Sequence, residues 1–167
     1  GRYRYYSNEL RSMTAQINTD KKGFTLVELL IVVAIIAVLA TLAIVALNPV
    51  RRYQESRNAK RWNDADAIAA AVQQYVIDND GDLPVGINTV ANQIGTCATG
   101  GDTLCVGADT ACLNLGADLT SYLKSMPIDP LVGTNPTTGY SIVKDANNFI
   151  TVKSCQPEGG ASISVSR

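Results

Sequence analysis

Lys21-Lys22-Gly23-Phe24-Thr25-Leu26-Val27-Glu28-Leu29-Leu30 sets two positive charges and a glycine directly ahead of an apolar segment that contains one carboxylate. Apart from Thr41, every residue from Leu29 to Leu47 is apolar, nineteen positions in all. As a helix this run covers about 28 Å, close to the hydrocarbon thickness of a bilayer. Glu28 is the anomaly. An ionised acid costs on the order of 2.5–3.5 kcal/mol at mid-membrane on insertion scales, and somewhat less near an end, so it needs a partner. A cut between Gly23 and Phe24 supplies one, because the new α-amino group is mostly cationic at neutral pH and lies one helical turn from Glu28. In a helical array, the Glu28 of one subunit would instead pair with the Phe24 amine of the next. Apolar packing then gives lateral cohesion, and the charge pair sets the register.

At these residues the chain resembles the type IV prepilins and the related pseudopilins of type II secretion. Gly23, Phe24, Thr25, Leu26 and Glu28 fit that pattern, as do the lysines before them. The resemblance covers Lys21 to about Leu47 and, more loosely, the helix that follows. It implies that a prepilin peptidase cuts after Gly23 and N-methylates Phe24, and that Glu28 serves in assembly. A conventional secretory signal is cleaved beyond its apolar core and loses it. Here the cleavage site precedes the core, so the mature chain keeps its helix.

Residues 1–23 carry five basic and two acidic side chains, whereas the chain from Phe24 onward carries nine and thirteen. We read 1–23 as a cleaved cytoplasmic leader with its true start near Met13, and exclude it from the fold. The net charge of −1 gives no global preference for nucleic acid. Basic residues at 51, 52, 57, 60 and 61 crowd the far side of the apolar run, so charge asymmetry alone leaves the orientation ambiguous. The peptidase resemblance puts the leader in the cytoplasm.

Residues 24–48 form the expected membrane-spanning or filament-core helix, and 49–79 an amphipathic helix. In the latter Ala65, Ile68, Ala69, Val72, Tyr75 and Val76 make one apolar stripe. Asn48-Pro49 interrupts the pattern. We expect a kink or local melt at Pro49 in a helix of about 80 Å, the alternative being a helix end with a new helix starting at Pro49. Asp78-Asn79-Asp80-Gly81-Asp82-Leu83-Pro84 terminates the helix. Its acids lack the glycine and the glutamate that an EF-hand loop requires. Residues 80–167 form a loop region followed by a sheet. Asp118–Lys124 is expected as a short helix. Tyr140–Asp145 and Asn148–Ser154 are expected to form a hairpin about Ala146-Asn147, and Ala161–Ser166 a third strand. The fold class is therefore α+β and pilin-like, a long N-terminal helix packed on a small C-terminal antiparallel sheet. The Pro127-Ile128-Asp129-Pro130 stretch and the following glycine-tyrosine strand loosely resemble the C-terminal part of the same family.

Cys97, Cys105, Cys112 and Cys155 allow three pairings. There is no Cys-x-x-Cys pair and no histidine, so disulfides are favoured over zinc. We expect Cys97–Cys105 and Cys112–Cys155. The basic cluster Arg51, Arg52, Arg57, Lys60 and Arg61 suits anionic headgroups or acids on neighbouring subunits. DNA capture is disfavoured, because an assembled filament would bury much of this region. Trp62 is read as a packing or interfacial residue. Without histidine, a nucleophile elbow or a phosphate loop, no enzyme is expected. No cofactor is expected either; some sheet domains of the family bind calcium in a C-terminal loop, to which Asp129 and Asp145 could contribute here, but a full ligand set is not visible.

The resemblance thus implies a precursor that spans the cytoplasmic membrane once, is processed by the peptidase/methyltransferase, and is polymerised by pilus or secretion machinery into a helical homopolymer. Its partners would be further copies of itself, that machinery and, before assembly, membrane lipid, with no specific nucleic acid. The final location would be a surface pilus or a periplasmic pseudopilus. A pseudopilin of a type II secretion system is the nearest alternative, and a monomeric membrane-anchored binding domain is the alternative of another class.

Overall fold

The computed structural model describes residues 23–167. The leader residues 1–22, including Met13 and the Lys21-Lys22 pair, lie outside the described residues. The chain divides into two units after Ala46. The first contains all but the last residue of helix α1, Leu26–Leu47, which is apolar on all sides beyond its first turn and has no buried residue. It is long and apolar enough to cross a membrane. A helix without a polar face is suited to a membrane or a protein core rather than to water. Thr41 does not break this character, since its hydroxyl donates to the Ala37 carbonyl at 2.8 Å.

The second unit begins at the interruption. Asn48 adopts a left-handed conformation, φ 38° and ψ 72°, and its side chain accepts from the Arg51 amide at 3.4 Å. Pro49 occupies the first turn of helix α2, Pro49–Asp78. The kink or local melt expected at Pro49 takes the form of a break at the single residue Asn48, after which Pro49 starts the next helix. Proline disfavours a helical residue before it, asparagine tolerates the left-handed region, and proline's missing N–H costs nothing in a first turn. At its far end α2 closes through a left-handed turn at Asp80 and Gly81, where the Gly81 amide returns to the Val76 carbonyl at 2.8 Å.

Strand β1 (Asn92–Gln93), helix α3 (Gly101–Leu104), helix α4 (Gly116–Leu119) and strands β2 (Tyr140–Lys144), β3 (Ile150–Ser154) and β4 (Ser164–Ser166) follow. The strands form one antiparallel sheet in the order β1-β2-β3-β4. Sequence reading misses β1, whose two residues carry no alternation to detect. The β2–β3 loop is longer than expected, because Asn148 takes a positive φ. Asp145 organises that loop by accepting from the Asn147 and Phe149 amides at 2.8 and 2.9 Å. The helix expected over 118–124 shortens to the single turn α4, which buries Leu119.

The core lies between α2 and the sheet. Ile68 and Val72 of α2 meet Tyr140 and Ile142 of β2 and Ile150 and Val152 of β3, while Leu115 and Leu119 close one end. The register places Ile142 opposite Val152, and Lys144 opposite Ile150, so the alternating residues share the face toward the helix. Each fully buried aliphatic side chain contributes about 1.5–3 kcal/mol, and this covering helix is what a sheet of short strands requires.

All four cysteines are oxidised, but in a pairing other than the expected one: Cys97 bonds Cys112, and Cys105 bonds Cys155. Backbone contacts explain the correction. The segment after β1 runs beside residues 111–113, with the Cys112 amide bonded to the Cys97 carbonyl at 3.0 Å and the Gly95 amide to the Leu113 carbonyl at 3.0 Å. That leaves Cys105 to meet Cys155, whose neighbour Gln156 donates its side-chain amide to the Leu104 carbonyl at 2.7 Å.

Candidate functional site

The amino-terminal element is built around the start of α1. Gly23 has open space around it, and Phe24 is exposed. Thr25 is the cap. Its hydroxyl accepts from the Glu28 amide at 3.1 Å, and Glu28 Oε2 accepts from the Thr25 amide at 2.8 Å and hydroxyl at 2.9 Å. This reciprocal arrangement is a capping box, which satisfies amides that the first helical turn leaves without partners. Thr25-Leu26-Val27-Glu28 ahead of an apolar run carries that signature in the sequence. Glu28 Oε1 has no hydrogen-bond partner among the described residues. The carboxylate is therefore held in place by one oxygen while the other faces outward. The Phe24 amide takes no part in this geometry, and Gly23, Phe24 and Glu28 sit together at one exposed end of the helix.

A second cluster lies in the other unit, and sequence reading did not find it. Arg61, on the face of α2 toward the sheet domain, is fully buried. Its Nε donates to Asp129 Oδ2 at 2.7 Å and its Nη2 to Asp129 Oδ1 at 3.0 Å, the bidentate fork that suits guanidinium to carboxylate. Its Nη1 reaches Glu158 Oε2 at 2.7 Å and Asn58 Oδ1 at 2.9 Å. Glu158 also takes two bonds of 2.6 Å from Arg57, and its backbone exchanges bonds with the Asn58 side chain. Asp129 Oδ1 further accepts from the Leu131 and Val132 amides at 2.9 and 3.1 Å. Gly139 (φ +82°) permits this crowding, since a Cβ there would sit 2.8 Å from Asp129 Cβ.

The electrostatics follow from these contacts. Burial pushes the Asp129 carboxyl up, but Arg61 and the two amides together outweigh it and hold the group below its ordinary value. Hydrogen bonds from Arg57, then from Arg61, bring Glu158 down to about 2. Burial, reinforced by a 2.8 Å hydrogen bond to Asp64, pushes the Tyr140 phenol up.

The basic cluster is thereby redistributed. Arg57 and Arg61 are held by Glu158 and Asp129, and Lys60 by Asp64 at 2.6 Å, so these three do not face lipid or neighbouring copies as free charges. Arg51 and Arg52 remain exposed, sharing Glu55. Asp129 and Asp145, the two acids that could contribute to a calcium loop of the family's kind, are engaged by Arg61 and by the hairpin amides respectively. No group of three or more metal-ligating side chains occurs among the described residues. Trp62 is half exposed on α2.

The prokaryotic N-terminal methylation motif matches residues 18–44, which include Gly23, Phe24, Glu28 and most of α1. No curated protein and no solved structure matched the chain.

Proposed function

We propose, from the premise that this chain carries the signature of type IV pilins and pseudopilins, that it is a structural subunit cut after Gly23 and polymerised through α1 into a surface filament. The observation that carries this reading is Glu28, a carboxylate at the head of an otherwise apolar helix with one oxygen capped by Thr25 and the other open. In a tethered monomer that acid would do no more than cap its own helix. A polymer gains a register device, because each copy's Phe24 amine meets a carboxylate already fixed in orientation. Before assembly, α1 anchors the precursor in the cytoplasmic membrane. In the filament, neighbouring α1 helices cover the apolar surface that α1 leaves exposed, and the disulfide-linked sheet unit forms the outer face. The role is structural rather than enzymatic.

Mass spectrometry of the sheared surface fraction tests this reading. The expected species begins at N-methylated Phe24 and carries two disulfides. Glu28→Ala should abolish filaments while leaving the chain inserted in the membrane. A chain intact across Gly23, or filaments unaffected by the Glu28 substitution, would overturn the proposal. A cleaved chain confined to the envelope would identify a pseudopilus instead.

A further inference from the structure

Helix α2 is charged against its own dipole at both ends. Its first turn contains Arg51 and Arg52 and no acid, where the positive end of the dipole disfavours cations. Its last turn contains Asp78 and no base, where the negative end disfavours anions, and Asp80 and Asp82 follow in the turn beyond. Neither end resolves this within the chain. The two arginines are largely exposed and share one glutamate, Glu55. Asp80 and Asp82 are exposed and have no side-chain hydrogen bond or ion pair among the described residues, while Asp78 accepts only from the Tyr122 hydroxyl.

Both ends also present apolar surface. Val50 and Tyr53 flank the arginines. Ile77, Val85 and Phe149 border an open cleft of about 1180 Å³ between the end of α2, the acidic turn and the β2–β3 hairpin tip. Of the basic groups on that cleft, Arg167 is paired with Asp66, while Lys144 meets only the neutral Asn148 side chain and keeps its charge; one lysine against Asp78, Asp80 and Asp82 leaves this end net acidic.

We infer that the acidic cleft end of α2 receives the Arg51-Arg52 end of a second copy of this chain, so that sheet units join head to tail in the filament. This rests on the polymer reading above and adds a second contact to the one made by α1. The two charged ends lie 26 residues apart, which sets the shift between joined copies at about 40 Å along α2. Charge opposite in sign to each dipole end is then supplied from outside. The methylenes of the arginines, with Val50 and Tyr53, cover Ile77, Val85 and Phe149.

The test uses the full chain in cells that assemble it. Arg51→Glu/Arg52→Glu and Asp80→Arg/Asp82→Arg should each lower sheared filament yield roughly tenfold, with precursor level and disulfides unchanged, and their combination should restore most of it. In filaments of Arg52→Lys, a carbodiimide should join position 52 of one copy to Asp80 or Asp82 of another. This arm does not depend on charge-reversed chains folding. Normal yield from both reversed pairs, or cross-links from position 52 only to other sites, would overturn this inference and leave the α1 contact standing. An unaltered chain that forms no filament would instead overturn the polymer reading on which both rest.

Discussion

Replacing Asp129 with asparagine keeps the size of the side chain but removes the charge that the fully buried Arg61 guanidinium faces. The Leu131 and Val132 amides can still find an acceptor in the new side chain, so their bonds contribute little to the loss. The cost is that of a buried cation stripped of its bidentate partner. Breaking one member of such a pair typically costs about 3–5 kcal/mol. For a sheet unit of this size that corresponds to a fall in Tm of roughly 10–20 °C. Arg61→Met alone should be comparably damaging, because it strands the carboxylate. Glu158 survives that change, since it keeps both bonds to Arg57. The combination Arg61→Met/Asp129→Asn should be far milder than the sum, with a coupling of roughly 2 kcal/mol or more. Thermal unfolding of the detergent-solubilised chain, followed by near-ultraviolet circular dichroism, reads all four members of the cycle. Additive losses, or an Asp129→Asn shift under about 3 °C, would refute the view that this pair locks α2 to the sheet unit.

Acid should loosen the same cluster. Glu158 and Asp129 have folded values below their ordinary ones, so the stability they contribute is complete above the unfolded value of about 4.5 for Glu158 and is lost as pH falls toward 2. Tm should be flat from neutral pH to about 5 and then decline, and Glu158→Gln should lower the plateau and shallow that decline. Cys105→Ser/Cys155→Ser should cost about 4 kcal/mol and Cys97→Ser/Cys112→Ser about 3, because the closed loops span 50 and 15 residues. Urea unfolding without reductant gives the order, and its reversal would contradict the pairing. Chelation of calcium should leave Tm unchanged, since the carboxylates of Asp129 and Asp145 already have protein partners; a fall of several degrees would reveal a site that depends on them.

The amino-terminal site was legible because its physics is local. A glycine, an apolar run and one acid within a few residues mark the methylation motif, a helix and its capping acid without reference to the rest of the chain. The stripe Ala65, Ile68, Ala69 and Val72 was legible for the same reason, and the structure buries it as the periodicity requires. The Arg61 cluster was not. Its partners lie 68 and 97 residues away, and a basic run on a helix gives no sign of which members turn inward. Asn48-Pro49 announced an interruption but not its form, because kink and restart share the same restriction on the residue before proline. The cysteine pairing was not legible, since residues 92–97 and 111–113 are joined by a parallel bridge at Ile94 and Leu113 and by backbone hydrogen bonds that carry no sequence signature.

The two bridges interleave: the first cysteine joins the third and the second joins the fourth. An oxidant that coupled thiols in their order of emergence would seal Cys97 to Cys105 and strand Cys112 with Cys155. Correct maturation therefore demands either restraint until β3 has arrived or a thiol-exchange catalyst able to undo the early error, and production in a host lacking that catalyst should yield scrambled isomers of identical mass.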